Sequence, residues 1–391
     1  MTNTLKRWLL GLFPLILLSL LVGLFLVVGP LGLFRTILPP NQEVFVERTI
    51  LTEDAITLHV VNEGPDPVVI SQVMVNGAFW RFEITPKTPV SRLGRAVIRI
   101  PYPWVEGDTE HITLLTAEGV TFDTEIEMAT RSPSPDPTYF ATFALLGVYV
   151  GVVPVFLGLL WLPFLRGLPG VWYRFILSLT VGLLVFLGVD AFSEAVELTR
   201  ESPSSFHGVG VLTIGGLLSF LAISAIGQES RKRAGKTTDE HMGLVLAFLV
   251  AFGIGVHNLG EGLAIGGAYA VGQASLGALL VIGFMIHNVT EGVAIVAPVA
   301  RFRPRVSHLA FMGLLAGGPT VLGTWIGGFA YTAIWSVFFL AVGSGAVFQV
   351  VVQIVRQMPR GSEDSVVTAG NVSGFLLGLA VMYVTGLFVT A

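Results

Sequence analysis

Apolar residues run through this chain in blocks longer than a globular core needs, near 8–34, 138–165, 175–197, 207–227, 242–271, 274–299, 306–329, 331–355 and 369–390. A helix requires about 20 apolar residues to cross the hydrocarbon layer, so the blocks predict nine spans. Residues 306–355 carry no Asp, Glu, Lys or Arg. That stretch is too long for one crossing, and the Gly327-Gly328 pair is the expected division.

The segment 40–135 follows another rule. Charged residues return, and short β-branched and aromatic runs alternate with turn signals at Asn62-Glu-Gly64-Pro-Asp-Pro67, Asn76-Gly77 and Glu118-Gly119. Seven strands are expected: Glu43–Arg48, Ile56–Val61, Val68–Val75, Trp80–Ile84, Ala96–Ile100, His111–Leu115 and Phe122–Met128. Such spacing predicts a small β-sandwich, joined to the membrane part by a stiff Pro133, Pro135, Pro137 linker. The expected fold is therefore an all-α polytopic membrane protein. Residues 1–36 form an anchor helix, 40–135 an extracytoplasmic β-sandwich, and 138–391 an eight-helix bundle.

Composition agrees with that class, since 53% of residues are hydrophobic, 12% are charged and the mean hydropathy is +0.77. Basic residues collect in alternate short loops, at Lys6 and Arg7, Arg166 and Arg174, Arg231 to Lys236, Arg301 to Arg305, and Arg356 with Arg360. By the positive-inside rule these loops are cytoplasmic. The expected protein sits in the cell membrane with its N-terminus inside and its β-sandwich and C-terminus outside. The first block is too long for a signal-peptide core and is followed by no small-x-small cleavage site before Arg35, so it reads as an uncleaved anchor. The chain has no cysteine, which removes disulfides and thiolate ligands.

Two copies of one pattern stand out within this apolar background: His257-Asn-Leu-Gly-Glu261-Gly and His287-Asn-Val-Thr-Glu291-Gly. His at i and Glu at i+4 lie about 40° apart on a helix of 3.6 residues per turn, so each helix presents an imidazole and a carboxylate to one point. An ionisable group at the bilayer centre costs about 2.5–3.5 kcal/mol even on the lenient insertion scale. Four of them must neutralise one another or hold an ion. Mutual neutralisation in a packed bundle is the plainer alternative, and two matching copies on consecutive spans weigh against it. Imidazole nitrogen with carboxylate oxygen suits Zn²⁺, Fe²⁺ or Mn²⁺, and the lack of thiolate argues against copper(I).

The eight spans from 138 onward resemble the ZIP family of divalent-metal transporters, and the two His-Asn-x-x-Glu-Gly segments resemble that family's fourth- and fifth-helix motifs. The resemblance is sharp over 257–266 and 287–295 only. It implies a first metal position made by His257, Glu261, His287 and Glu291, and a second lined by Asn258, Asn288 and the same glutamates. It further implies movement of a divalent cation toward the cytoplasm, zinc foremost and iron or manganese next. Membrane lipid and divalent cations are the expected partners, a homodimer is one possible assembly that the sequence does not decide, and no nucleic acid is expected. The chain departs from the family in several places. Gly260 and Thr290 stand where a proline usually precedes the motif glutamate, Asn288 stands where an acid is common, and Gly317-Gly318-Pro319 lacks a carboxylate. The loop 227–241 also lacks a histidine run.

Glycines at 253, 255, 260, 262, 266 and 267 would let helices approach closely. Asp190, Glu194 and Glu197 share one side of their span, and either line an outer entrance that attracts cations or mark a solvated helix end near Arg200. His59 and His111 read as surface or packed strand residues, and His207, His241 and His308 as interfacial ones. No GxxxxGK[ST] run implies a nucleotide, and no enzyme constellation is evident. Two alternatives from other classes are a membrane-embedded zinc-dependent hydrolase, disfavoured by the absence of HExxH and of a spare general base, and a metal-sensing membrane receptor.

Overall fold

Strands and helices segregate along the chain. The structure is a computed structural model that describes residues 3–28, 41–87, 89–200, 202, 207–234, 239–270, 274–330, 332–358 and 367–390. Helix α1 (Asn3–Val28) comes first, and its apolar side chains from Leu12 to Leu24 are almost all exposed. The rest of the predicted first block, 29–34, lies outside the described residues.

Eight strands follow: β1 (Val44–Thr52), β2 (Ala55–Asn62), β3 (Ile70–Val75), β4 (Ala78–Trp80), β5 (Glu83–Thr85), β6 (Arg95–Ile100), β7 (Glu110–Thr116) and β8 (Thr121–Ile126). They make two antiparallel sheets, ordered β1-β2-β6-β5 and β4-β3-β7-β8. Alternating side chains from both, among them Ile56, Leu58, Ile98, Val73, Ile112 and Leu114, form a common core. The strand expected over Trp80–Ile84 divides instead. Asn76 and Gly77, both at positive φ, make the tight turn that pairs β4 with β3, and after Trp80 the chain crosses so that β5 pairs with β6 in the other sheet. Alternation alone does not reveal which sheet a residue joins.

Eight further helical segments are long and apolar enough to cross a membrane. The first is compound, comprising α2 (Pro137–Gly147), a π turn (Val148–Val152), α3 (Val153–Leu159) and α4 (Leu162–Arg166). Asp136 caps α2 by accepting from the backbone N–H groups of Thr138 and Tyr139, and Pro137 occupies the first turn, where its missing donor costs nothing. The Ser134 hydroxyl and those N–H groups hold the Asp136 carboxyl below the usual carboxylate range. The remaining helices are α5 (Gly170–Leu198), α6 (Gly208–Ala234), α7 (Asp239–Ala270), α8 (Ala274–Val296), α9 (Val306–Ala330), α10 (Ala333–Gln357) and α11 (Ala369–Thr390). Helix α6 runs seven residues past Gly227, because the Glu, Arg, Lys and Ala beyond it leave the apolar pattern while remaining good helix formers.

Helix α9 packs most extensively on α7, and α5 on α10 and α11. Bare glycine backbones make the α7–α9 approach possible. A Cβ on Gly262 would meet the Thr320 carbonyl, and one on Gly266 the Thr324 carbonyl. The expected division near Gly327-Gly328 holds, since α9 ends two residues after Gly328, at Ala330, and α10 begins at Ala333; within α9 the pair also serves packing, with Gly327 against the Leu263 carbonyl and Gly328 against the Phe143 ring. At that end Arg48 of β1 donates to the Phe329 carbonyl at 2.7 Å, a cation placed at the negative pole of a helix.

Candidate metal centre

Both repeats lie within unbroken α-helix, the first in α7 and the second in α8, so the i to i+4 geometry expected of each holds. The helices bring their ligands together in the buried interior. His257, Glu261, His287 and Glu291 are each at most 4% exposed, and one nitrogen or oxygen from each lies within 4.8 Å of the others. Among the described residues this is the one group of three or more His, Cys, Asp or Glu compact enough for an ion. Donors about 2.0–2.2 Å from a tetrahedral zinc stand about 3.3 Å apart. Glu261 Oε1 already lies 3.3 Å from His257 Nε2 and 2.5 Å from His287 Nε2, so modest side-chain adjustment suffices to close the cage.

Charge favours the same chemistry. With both carboxylates ionised and both imidazoles neutral, the four side chains carry two negative charges, which one divalent cation cancels in a region where unbalanced charge is costly. Glu291 Oε1 and His257 Nδ1 are buried and have no hydrogen-bond partner.

Asn258 and Asn288 are completely buried beside the cage. Their amide nitrogens face the glutamates: Asn258 Nδ2 donates to Glu291 Oε2 at 3.0 Å, and Asn288 Nδ2 to Glu261 Oε2 at 3.1 Å. Each also donates to a backbone carbonyl, Asn258 to Ala316 at 3.3 Å and Asn288 to Val150 at 3.0 Å. Val150 and the π turn that holds it escape a reading of the repeat alone. Their signal was Pro154, which has no N–H to offer the carbonyl four residues earlier.

The two positions just before the motif glutamates have other uses. A Cβ on Gly260 would run into the Leu340 side chain, while the Thr290 hydroxyl donates to the His287 carbonyl at 2.6 Å. Gly318 has open space around it, and Pro319 is accommodated inside α9.

On α5, Asp190 and Glu197 are exposed and Glu194 is partly exposed. Asp190 lies within electrostatic reach of His257, His287 and Glu261, and Glu194 within reach of His257 and Glu261. Neither joins the compact ligand group. His59 and His111 also lie apart from it, in the β-sandwich. Burial and the neighbouring Arg48 guanidinium lower the His59 pKa, against an opposing pull from Glu47, while exposed His111 faces Glu125 at 3.6 Å. His207 and His241 are exposed, and the His308 ring packs against Phe248.

Comparison with known proteins gives neither a matching family model nor a matching curated protein. The chemistry of these residues therefore carries the functional reading.

Proposed function

We propose that this protein is a ZIP-like transporter that carries a divalent metal cation, zinc foremost, across a membrane toward the cytoplasm. The observation that carries the reading is the buried convergence of His257, Glu261, His287 and Glu291 from two neighbouring helices of an eight-crossing bundle. Two imidazoles and two carboxylates bind Zn²⁺, Fe²⁺ or Mn²⁺ without thiolate. Burial makes the ion's departure depend on rearrangement of the surrounding helices, as alternating access requires.

The polar partners follow the cargo. Asp190 and Glu194, within electrostatic reach of the cage, raise the local concentration of cations on the approach to it. The positive-inside rule supports an outward-facing β-sandwich, and the direction of transport follows from the resemblance to the ZIP family.

The test is uptake of zinc, iron, manganese and cadmium into vesicles that hold the purified full-length protein. Uptake that disappears in His257→Ala supports the proposal. Absence of uptake of every ion by the unmodified protein, or full uptake by His257→Ala, overturns it, and metal-dependent lipid or peptide hydrolysis without uptake would favour a hydrolase.

A further inference from the structure

The repeat's two asparagines are the least explained part of the centre, because each is fully buried and neither is a charged ligand. We infer that Asn258 and Asn288 are positioning residues that brace the two glutamates crosswise, and that by holding each carboxylate to one free oxygen they favour zinc over manganese. This rests on the metal reading above.

Each amide engages two acceptors through Nδ2 and leaves its Oδ1 buried without a partner. A backbone carbonyl only accepts, and the Val150 carbonyl lies 3.0 Å from the Asn288 amide nitrogen. Asn288 must therefore turn Nδ2 toward Val150, and the same NH₂ group then reaches Glu261 Oε2. Asn258 repeats the arrangement with the Ala316 carbonyl and Glu291 Oε2. Turning either amide over would set its oxygen against a carbonyl and a carboxylate at once. The asparagine of α7 thus holds the glutamate of α8, and the asparagine of α8 holds the glutamate of α7, which fixes the two helices relative to each other at the ion.

The consequence is a choice of oxygen. With each Oε2 engaged, Glu261 offers Oε1, which faces both imidazoles, and Glu291 offers Oε1, which has no partner. Two single carboxylate oxygens and two imidazole nitrogens make four ligands, the number zinc prefers. Hard oxygen-seeking ions gain from carboxylates free to bind through both oxygens. Loosening the brace releases that second oxygen.

The experiment compares Asn258→Ala, Asn288→Ala and Asn288→Asp with the unmodified full-length protein in nanodiscs, by zinc titration and zinc–manganese competition. Loss of an outer-shell donor typically weakens metal binding about 10–100-fold. Each alanine variant should show that loss for zinc, retain one ion per chain, and lose zinc-over-manganese preference. Asn288→Asp places a third carboxylate against Glu261 and the Val150 carbonyl and should bind zinc no more tightly than the unmodified protein. Tighter zinc binding or a second ion per chain in that variant would make Asn288 a ligand and overturn the inference. A measurement independent of folding uses the unmodified protein labelled with side-chain ¹³C-asparagine. Its infrared amide carbonyl band should not undergo the downshift of direct coordination when zinc binds, and such a downshift overturns the inference. Failure of the unmodified protein to bind any divalent ion overturns the metal reading itself.

Discussion

Replacing Glu261 by glutamine keeps the side chain's shape and removes one negative charge from the residue on which the centre converges. Its Oε1 faces His257 and His287 and its Oε2 accepts from Asn288. With a divalent ion held by the unmodified residues the site is neutral, whereas in Glu261→Gln it retains one uncompensated positive charge in the bundle interior. Taking about 3 Å between ion and carboxylate and an effective dielectric of about 20, the lost attraction is at most about 11 kcal/mol. The desolvation that the carboxylate no longer suffers returns several kcal/mol of this. Outer-shell changes alone cost about 10–100-fold in affinity, so loss of a charged ligand should weaken zinc binding at least about 100-fold, or about 2.7 kcal/mol. Thermal unfolding in nanodiscs reads this through linkage. At zinc one hundred times the unmodified protein's Kd, the ion stabilises the folded state by about 2.7 kcal/mol, and after a 100-fold loss of affinity by about 0.4 kcal/mol. An undiminished zinc-dependent stabilisation in Glu261→Gln, with full vesicle uptake, would refute the reasoning.

Proton competition sets the sign of a second effect. His257 and His287 must be neutral to ligate, so zinc affinity should fall as pH drops through the imidazole range, with protons released on binding that calorimetry in buffers of different ionisation enthalpy would register; a flat affinity from about pH 8 to 5 contradicts imidazole ligation. Arg48→Ala removes a charge-assisted bond to the Phe329 carbonyl worth about 1.5–3 kcal/mol. It should speed hydrogen exchange at the C-terminal turn of α9 while leaving zinc affinity unchanged. Gly262→Val drives a Cβ into the Thr320 carbonyl and the Gly323 backbone. Overpacking of about 1–3 kcal/mol should lower the melting temperature, whereas Gly318→Ala, with open space at that position, should not.

Several features were legible from the sequence because they depend on spacing along one chain. Apolar block length foretold nine spans, and the eight from residue 138 onward match helices long and apolar enough to cross a membrane, since hydrocarbon thickness fixes helix length; the first block is described only in part. The i to i+4 repeat foretold that His257 would lie beside Glu261 and His287 near Glu291, since helical pitch alone decides this. The Asn76-Gly77 pair marked its hairpin because only residues tolerant of positive φ fit there. What required the tertiary structure were relations between segments distant in sequence. That Glu261 meets His287, that Asn288 reaches back to Val150 of the first crossing helix, and that Gly327 and Gly328 seat against the Leu263 carbonyl and the Phe143 ring all follow from how backbones approach in three dimensions. Local pattern says which face of a helix carries a side chain, whereas interhelical packing chooses the neighbour that face meets and the atom to which each amide donates.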